Sequence, residues 1–375
     1  MINRRLWCQG AAATVGLSSP LLAAAADEWV VAQIGPFTGI PVKDASQLYE
    51  GAQACFAQIN ARGGIGGRRI RFFSLDDGYT TDGFAQRFRE AVQQKAVALL
   101  SPVGSILIKH MLTEKLLDQT DLLVLNAVPG AESFREPGHP QLMHVRAGDR
   151  QQIEKVFAHV KTVGQVRVTV LHQNIPTGIS GLAMAKAAAE RAGVTIEAVE
   201  ASEEPASLKA GAAKVRGLNS QATLVLGAPW FMANGIAQLR SAGVTHSLFA
   251  LSYASPALVN KATEQNGRGV ALVQTFPNAT GIVLPLQRDF QAAMLSAHPK
   301  ITEYAQFHLE GYVVARVFAE AARRAANPSG PALAKALRAA GPLDIGGFAV
   351  DFSRGNTGGT YVDIGILDSR GRLKY

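Results

Sequence analysis

The sequence is short of cysteine, of aromatic residues and of any long apolar run. Cysteine occurs twice in 375 residues, as Cys8 and Cys55. Cys8 falls in a leader argued below to be removed, and Cys55 alone closes no internal disulfide and builds no cysteine metal site. Its surroundings, Ala52 to Ile59, are apolar, which places the thiol in a helix-packed core rather than at a reactive position. Aromatics are only 7% of the chain while Gly and Ala abound, which disfavours a β-sandwich and suits helices lying close on sheets. Beyond residue 26 no stretch approaches the roughly 20 apolar residues that cross a bilayer. Basic runs are also missing: the formal charge of +8 is dispersed, and two of those charges are Arg4 and Arg5. Nucleic acid is therefore not an expected partner.

What is present begins with an export signal. Arg4 and Arg5 precede an uncharged segment from Gly10 to Ala26, and Ala24-Ala25-Ala26 supplies the small residues a signal peptidase needs before Asp27. Ser18, Ser19 and Pro20 break the segment, which argues against a membrane anchor. The leader fits the general secretory (Sec) route; Asn3-Arg4-Arg5-Leu6-Trp7 also loosely resembles a twin-arginine export motif, but many ordinary signals begin with paired arginines. Cys8 lies too early in the leader for lipid attachment, so a soluble mature protein is expected.

From Asp27 on, strand-like and helix-like segments alternate. Trp29 to Ile34, Ile70 to Leu75, Ala96 to Leu100 and Leu122 to Asn126 are β-rich; Gln47 to Ala61, Thr81 to Gln94 and Ile106 to Leu117 carry helical spacing between them. The order then restarts with strands at Val166 to Leu171, Thr195 to Val199, Ala222 to Leu226 and Leu248 to Leu251. Helices at Ile179 to Ala192, Ser207 to Leu218 and Ala233 to Ala242 separate them. Strands joined by helices of 10–15 residues form parallel sheets with right-handed crossovers. Two such rounds predict an α/β fold of two doubly wound parallel-sheet lobes. A third section does not repeat: a strand at Val270 to Phe276, helices at Leu284 to Ala297, Ala305 to Ala326 and Pro331 to Ala340, then strands at Phe348 to Phe352, Thr360 to Leu367 and Arg372 to Tyr375. If it completes both lobes, the chain crosses between them several times and forms a hinge. The expected division is residues 1–26 as leader, 27–146 plus 277–352 as lobe 1, and 147–276 plus 353–375 as lobe 2.

Ligands of open parallel sheets bind beyond the carboxyl ends of the strands. The loops there contain Thr38, Asp44, Val103, Gly104, Ser105, Ala127, Pro129, Gly130, Thr177, Trp230, Ser252 and Tyr253, the candidate ligand-binding set. Gly104-Ser105 ahead of a helix is the best place for a carboxylate, which unpaired N–H groups and the helix dipole favour. Ser105 by itself fits a helix cap equally well, and Trp230 is either the apolar wall of a pocket or hinge packing. Catalytic signals are poor. Gly63 to Gly67 follows a helix and precedes a strand, the wrong order for a dinucleotide loop, and Gly178-Ile179-Ser180-Gly181 lacks the spacing of a nucleophile elbow. His139 and His144 flank a Pro-rich loop, lack a third metal ligand and read as surface residues. Asp76-Asp77-Gly78 reads as turn chemistry. No cofactor, metal or enzymatic activity is expected.

Several motifs together resemble the leucine/isoleucine/valine-binding type I periplasmic binding proteins of ABC transporters, over essentially the whole mature chain. They are Ile34-Gly35-Pro36-Phe37-Thr38-Gly39, Gly51-Ala52, the run Ile59 to Ile70 with its Gly63-Gly64-Ile65-Gly66-Gly67 core, Asp76-Asp77-Gly78, Gly311-Tyr312 and Gly346-Gly347-Phe348. The resemblance implies a monomer in the periplasm that closes over a small molecule and delivers it to an inner-membrane ABC permease. A free periplasmic ligand-sensing subunit of the same fold is the alternative. It further implies carboxylate contacts at Gly104 with Ser105 and at Pro129, a ligand-facing aromatic at the position of Thr177, a Tyr at that of Trp230, and an acid for the ligand ammonium at about Ser252. The missing acid departs from the family pattern, since losing one member of a buried charge pair costs roughly 2–5 kcal/mol. An amino acid then requires Asp44 or another acid in its place; a carboxylate or a more apolar ligand does not.

Overall fold

Trp29–Gly35 (β1) is buried along nearly its whole length, as its Val, Ile and Trp side chains require of a central strand covered on both faces. We describe the protein from a computed structural model over residues 28–40 and 43–375; the proposed leader lies outside them. After β1 come Asp44–Ala61 (α1), Ile70–Asp76 (β2), Thr81–Gln93 (α2), Ala98–Leu100 (β3), Ser105–Thr113 (α3), Leu123–Leu125 (β4) and Leu142–Met143 (β5). The five strands make one parallel sheet in the order β2-β1-β3-β4-β5. Gly35 pairs with Asp76, so the loops after β1 and β2 leave the sheet at the same height.

The second round runs Asp149–Thr162 (α4), Arg167–Gln173 (β6), Pro176–Ala192 (α5), Thr195–Ala201 (β7), Pro205–Gly217 (α6), Ala222–Leu226 (β8), Pro229–Ser241 (α7), Ser247–Ala250 (β9), Pro256–Ala262 (α8) and Val270–Gln274 (β10). Its strands belong to a separate sheet, β14-β13-β10-β9-β8-β6-β7. Four consecutive helices, α5 to α8, open on proline, where the missing N–H and fixed φ cost nothing.

The remaining segments return to the first lobe and then go back. Pro285–Ala297 (α9), Gln306–Arg324 (α10), Gly330–Ala339 (α11) and the antiparallel pair Leu343–Asp344 (β11) and Ala349–Val350 (β12) share a core with α1 and the first sheet. Asp363–Leu367 (β13) and Leu373–Lys374 (β14) then add an antiparallel edge to the second sheet. The chain therefore passes between the sheets three times: after β5, after β10 and after β12. Ile153, Val156, Phe157 and Val160 of α4 seal one face of the second sheet, whose core runs on into Ala45, Leu48, Val103 and Val128 of the first lobe, while two further clusters pack the first sheet. Among the described residues no helix is long and apolar enough to cross a membrane.

Candidate functional site

The carboxyl ends of the two sheets face one another across a cleft with 460 Å³ of empty space, its mouth included. Four helices begin at its walls. Asp44 and Ser105 are the first residues of α1 and α3, and Thr177 and Trp230 the second residues of α5 and α7; all four line the cleft. The first N–H groups of a helix lack intrahelical acceptors and carry its positive dipole end, so this arrangement favours a negative ligand group.

The start of α3 is the most developed of these. Gly104 is its N-cap at φ 117°, a left-handed conformation that glycine alone adopts without strain, and it has no side chain to satisfy the helix. A Cβ there would lie 3.0 Å from the ring of Tyr79. Ser105 is only 4% exposed, and because Gly104 occupies the cap position, the Ser105 hydroxyl does not cap the helix. Facing α3, Trp230 of the second lobe meets the Tyr79 ring edge-on at 5.8 Å and donates Nε1–H to Glu203 at 2.5 Å. Burial, then Glu203, pushes the Tyr79 phenol up to about 12, so it stays protonated. Tyr79 itself sits at φ 59°, an uncommon backbone for a bulky residue.

Beneath the cleft lies a buried polar network joining both lobes and two of the crossings. Arg146, fully buried after β5, pairs with Glu310 of α10 at 3.2 Å and donates to Ser252 at 2.5 Å and to Thr275 at 3.4 Å. Its guanidinium also lies 4.7 Å from the centre of the Tyr253 ring. Asn126 donates to Glu310 at 2.8 Å and accepts the Arg146 N–H at 2.8 Å. Asp149, at the start of α4, accepts from the Tyr253 hydroxyl and, at 3.2 Å, from Thr177. Tyr253 in turn accepts the Gly130 N–H at 2.6 Å, a direct bond between the lobes. Burial raises the carboxyls of Glu310 and Asp149, against Arg146 in the first case and the Tyr253 hydrogen bond in the second. Asp44 is pushed up to about 7 by burial and then by Glu310, with Arg146 opposing.

Of the residues named from the sequence, Asp44, Val103, Gly104, Ser105, Pro129, Thr177, Trp230 and Tyr253 line the cleft. Four do not. Thr38 is exposed, and its hydroxyl donates to Asp76 at 2.6 Å, tying the β1 and β2 loops together. Ala127 is packed in the first-lobe core, Gly130 spends its N–H on Tyr253, and Ser252 is held by Arg146 and Gln152. Asp76 and Asp77 do act as turn residues, accepting from Gly78 and Tyr79 N–H groups at 3.0 and 2.8 Å. His144 is a correction: it is fully buried, not on the surface, and burial followed by Arg135 drives its imidazole well below the usual range, hence neutral. Ile40, Val128, Ile175 and the Gly227 to Pro229 turn also line the cleft, within the strand-end loops Gly35 to Asp44, Asn126 to Glu132, His172 to Gly178 and Gly227 to Trp230 where the sequence places the ligand, whereas Tyr79 lies outside them and is missed. Sequence reading also misses Arg146, Asp149 and Glu310. Only Tyr79, an aromatic directly after a strand-ending Asp-Asp-Gly turn, carried a local signal.

Comparison with known proteins gives a consistent result. The family model described as periplasmic binding protein matches residues 28–366. A crystal structure of an extracellular ligand-binding receptor from Verminephrobacter eiseniae is 44% identical, with TM-score 0.90 over 93% of this chain and 100% of that one. A substrate-binding periplasmic protein from Ralstonia solanacearum is 27% identical, with TM-score 0.84 over 92% and 99%. A leucine-binding protein from Thermotoga maritima shares the fold at 16% identity, with TM-score 0.79 over 92% and 97%. No curated protein matches the sequence.

Proposed function

The chain belongs to the periplasmic binding protein family, with its type I two-lobe fold, and on that premise we propose that it is the monomeric solute receptor of an ABC importer. In this reading it is exported to the periplasm, captures a small carboxylate-bearing molecule between its lobes and presents the closed form to an inner-membrane permease. We place the lobes at 27–146 plus 277–352 and 147–276 plus 353–375, so that the three crossings form the hinge. The observation that carries the reading is the convergence of four helix starts from both lobes on one cleft. A carboxylate at the start of α3 would meet free N–H groups and the Ser105 hydroxyl. Val103, Val128, Ile175 and Trp230 offer its apolar body a dry wall. Contacts made to both lobes at once stabilise the closed form over the open one, which is what a transport receptor needs.

Mass spectrometry of molecules that co-purify with the mature protein identifies the ligand, and a thermal-shift panel of carboxylates ranks it. Ligand at about a hundred times Kd should add about 2.7 kcal/mol of stability. Two variants test the site. Ser105→Asp puts a negative side chain at the proposed anion position, where the helix start tolerates it, whereas any side chain at Gly104 is strained by φ and by Tyr79. Trp230→Ala removes the apolar wall and the contact with Tyr79. Both should melt close to wild type without ligand and lose most of the ligand-induced shift. An undiminished shift in both variants moves the binding site elsewhere.

A further inference from the structure

Resting on the carboxylate reading above, we propose that the ligand carries a hydrocarbon chain too long for the cleft. The chain passes Ile175 into a second, apolar groove between α3 and α5, so the substrate class is a medium-chain alkanoate rather than a compact acid. The groove holds 1190 Å³ of empty space, open to solvent, against 460 Å³ in the cleft. Leu112 of α3 and Phe134 form one side of it, and Ile175, Pro176 and Ile179 around the start of α5 form the other. Leu112 and Phe134 pack with a core of the first sheet, and Ile175 with that of the second. An occupant of the groove therefore touches both lobes, as the cleft ligand does.

The groove and the cleft meet at Ile175, which lines both. Its neighbours Pro176 and Thr177 line one each, the groove and the cleft, so a short piece of chain is all that divides the two spaces. On the facing wall Ser105 lines the cleft, and Lys109, about one helical turn further along α3, lines the groove. Large apolar side chains also lie open along this route: Ile106 is 46% exposed and Ile179 is 55% exposed. Ile106 shares a face of α3 with the groove residues Lys109 and Thr113, three and seven positions on. Single exposed apolar residues are ordinary, but two beside one groove that leads out of a ligand cleft extend its apolar wall. Lys109 is the one charged residue lining the groove among those described, so no carboxylate there repels an alkanoate. A carboxylate held at the start of α3 leaves its chain free to run beside that helix. At 1.5 Å per residue Thr113 lies about 12 Å beyond Ser105, a span that extended decanoate covers.

The test titrates the mature protein, stripped of ligand, with hexanoate, octanoate, decanoate and decanol in a calorimeter. A fully buried methylene tightens binding about fourfold, and a half-buried one about twofold. Each two-carbon step from hexanoate to decanoate should therefore gain between about fourfold and about fifteenfold in affinity. Decanol, which lacks the head for the start of α3, should bind at least about tenfold more weakly than decanoate. Ile179→Asp puts a charge in the groove at an exposed first-turn position, where the helix dipole favours an acid. It should flatten the gain with chain length and leave hexanoate affinity unchanged, while Ile179→Leu keeps the gain. An unliganded melting temperature equal to wild type shows that a lost gain is not misfolding, and Ser180→Asp repeats the test beside it should Ile179→Asp fail to fold. Hexanoate bound with no gain at decanoate confines the ligand to the cleft, which overturns the groove proposal and leaves the carboxylate reading standing. An undiminished gain in Ile179→Asp, or decanol bound as tightly as decanoate, overturns it as well. Silence toward every alkanoate does the same, and the thermal-shift panel of carboxylates then decides the parent reading separately.

Discussion

Glu310→Ala should lower the stability of the ligand-free protein by about 3–5 kcal/mol, among the largest single-residue effects in the molecule. The cost is not the value of an ion pair but the state of what remains. Arg146 is fully buried, arginine side chains in proteins keep their charge, and its Nε already has no hydrogen-bond partner among the described residues. With Glu310 gone, its charge is left with Ser252, Thr275 and the Tyr253 ring. Arg146→Met should cost less, because an orphaned Glu310 escapes by taking up a proton. That escape sets a pH dependence. Burial already raises the Glu310 carboxyl against the opposing Arg146, and removing the arginine raises it further. A carboxyl raised on folding gives stability that is full at low pH and is lost as pH rises through its folded value. Arg146→Met should therefore lose ground to wild type as pH rises from 5 to 8. The double variant Arg146→Met/Glu310→Leu should recover most of the loss, giving a large coupling in the double-mutant cycle. Denaturant titrations that place Glu310→Ala within 1 kcal/mol of wild type would show that water reaches the pair.

The same network marks the limit of what the sequence reveals. The alternation of apolar strands and spaced helices is a local signal, and it led to two lobes, a parallel sheet in each and the loops that border the cleft. The spacing starts the second-lobe helices at Ile179, Ser207 and Ala233, a few residues late, whereas Pro176, Pro205 and Pro229 are the first helical residues, a position where proline costs nothing. Helix α4 went unread although Ile153, Val156, Phe157 and Val160 repeat at helical spacing. Its position between the two rounds hid it, since it follows the first crossing and belongs to neither strand-helix unit. The floor of the cleft had no such signal. Asn126, Arg146, Asp149, Ser252 and Glu310 meet only because the first two crossings bring distant segments together, and no spacing along the chain encodes that.

Gly311→Ala should destabilise the protein by more than the 1–3 kcal/mol usual for overpacking, and Gly51→Ala by a similar amount. These two glycines lie where α1 and α10 touch backbone to backbone. A Cβ on Gly311 would sit 2.0 Å from the Leu48 carbonyl oxygen, and one on Gly51 would sit 1.9 Å from that of His308. No flexible side chain can give way, so the helices must part by more than 1 Å (about 3.4 Å is an ordinary contact), opening the close-packed core that holds Phe56, Tyr312 and Phe318. Because both substitutions force the same separation, the double variant should cost clearly less than the sum. Gly63→Ala and Gly66→Ala are the contrast. Those positions have φ of 95° and 59° with open space around them, so only the backbone conformation is strained, at about 1 kcal/mol each, and their effects should add. The two kinds of glycine look alike in the sequence, yet one guards a helix contact and the other a turn. The contact also reaches the site: α1 begins at Asp44 and Gly311 follows Glu310, so parting the helices shifts both carboxylates beside the cleft. Gly311→Ala should accordingly weaken ligand binding even at temperatures where it remains folded, while Gly63→Ala leaves binding unchanged. Additive losses at Gly51 and Gly311, or full affinity in Gly311→Ala, would mean that the two helices can slide past the added methyl without separating.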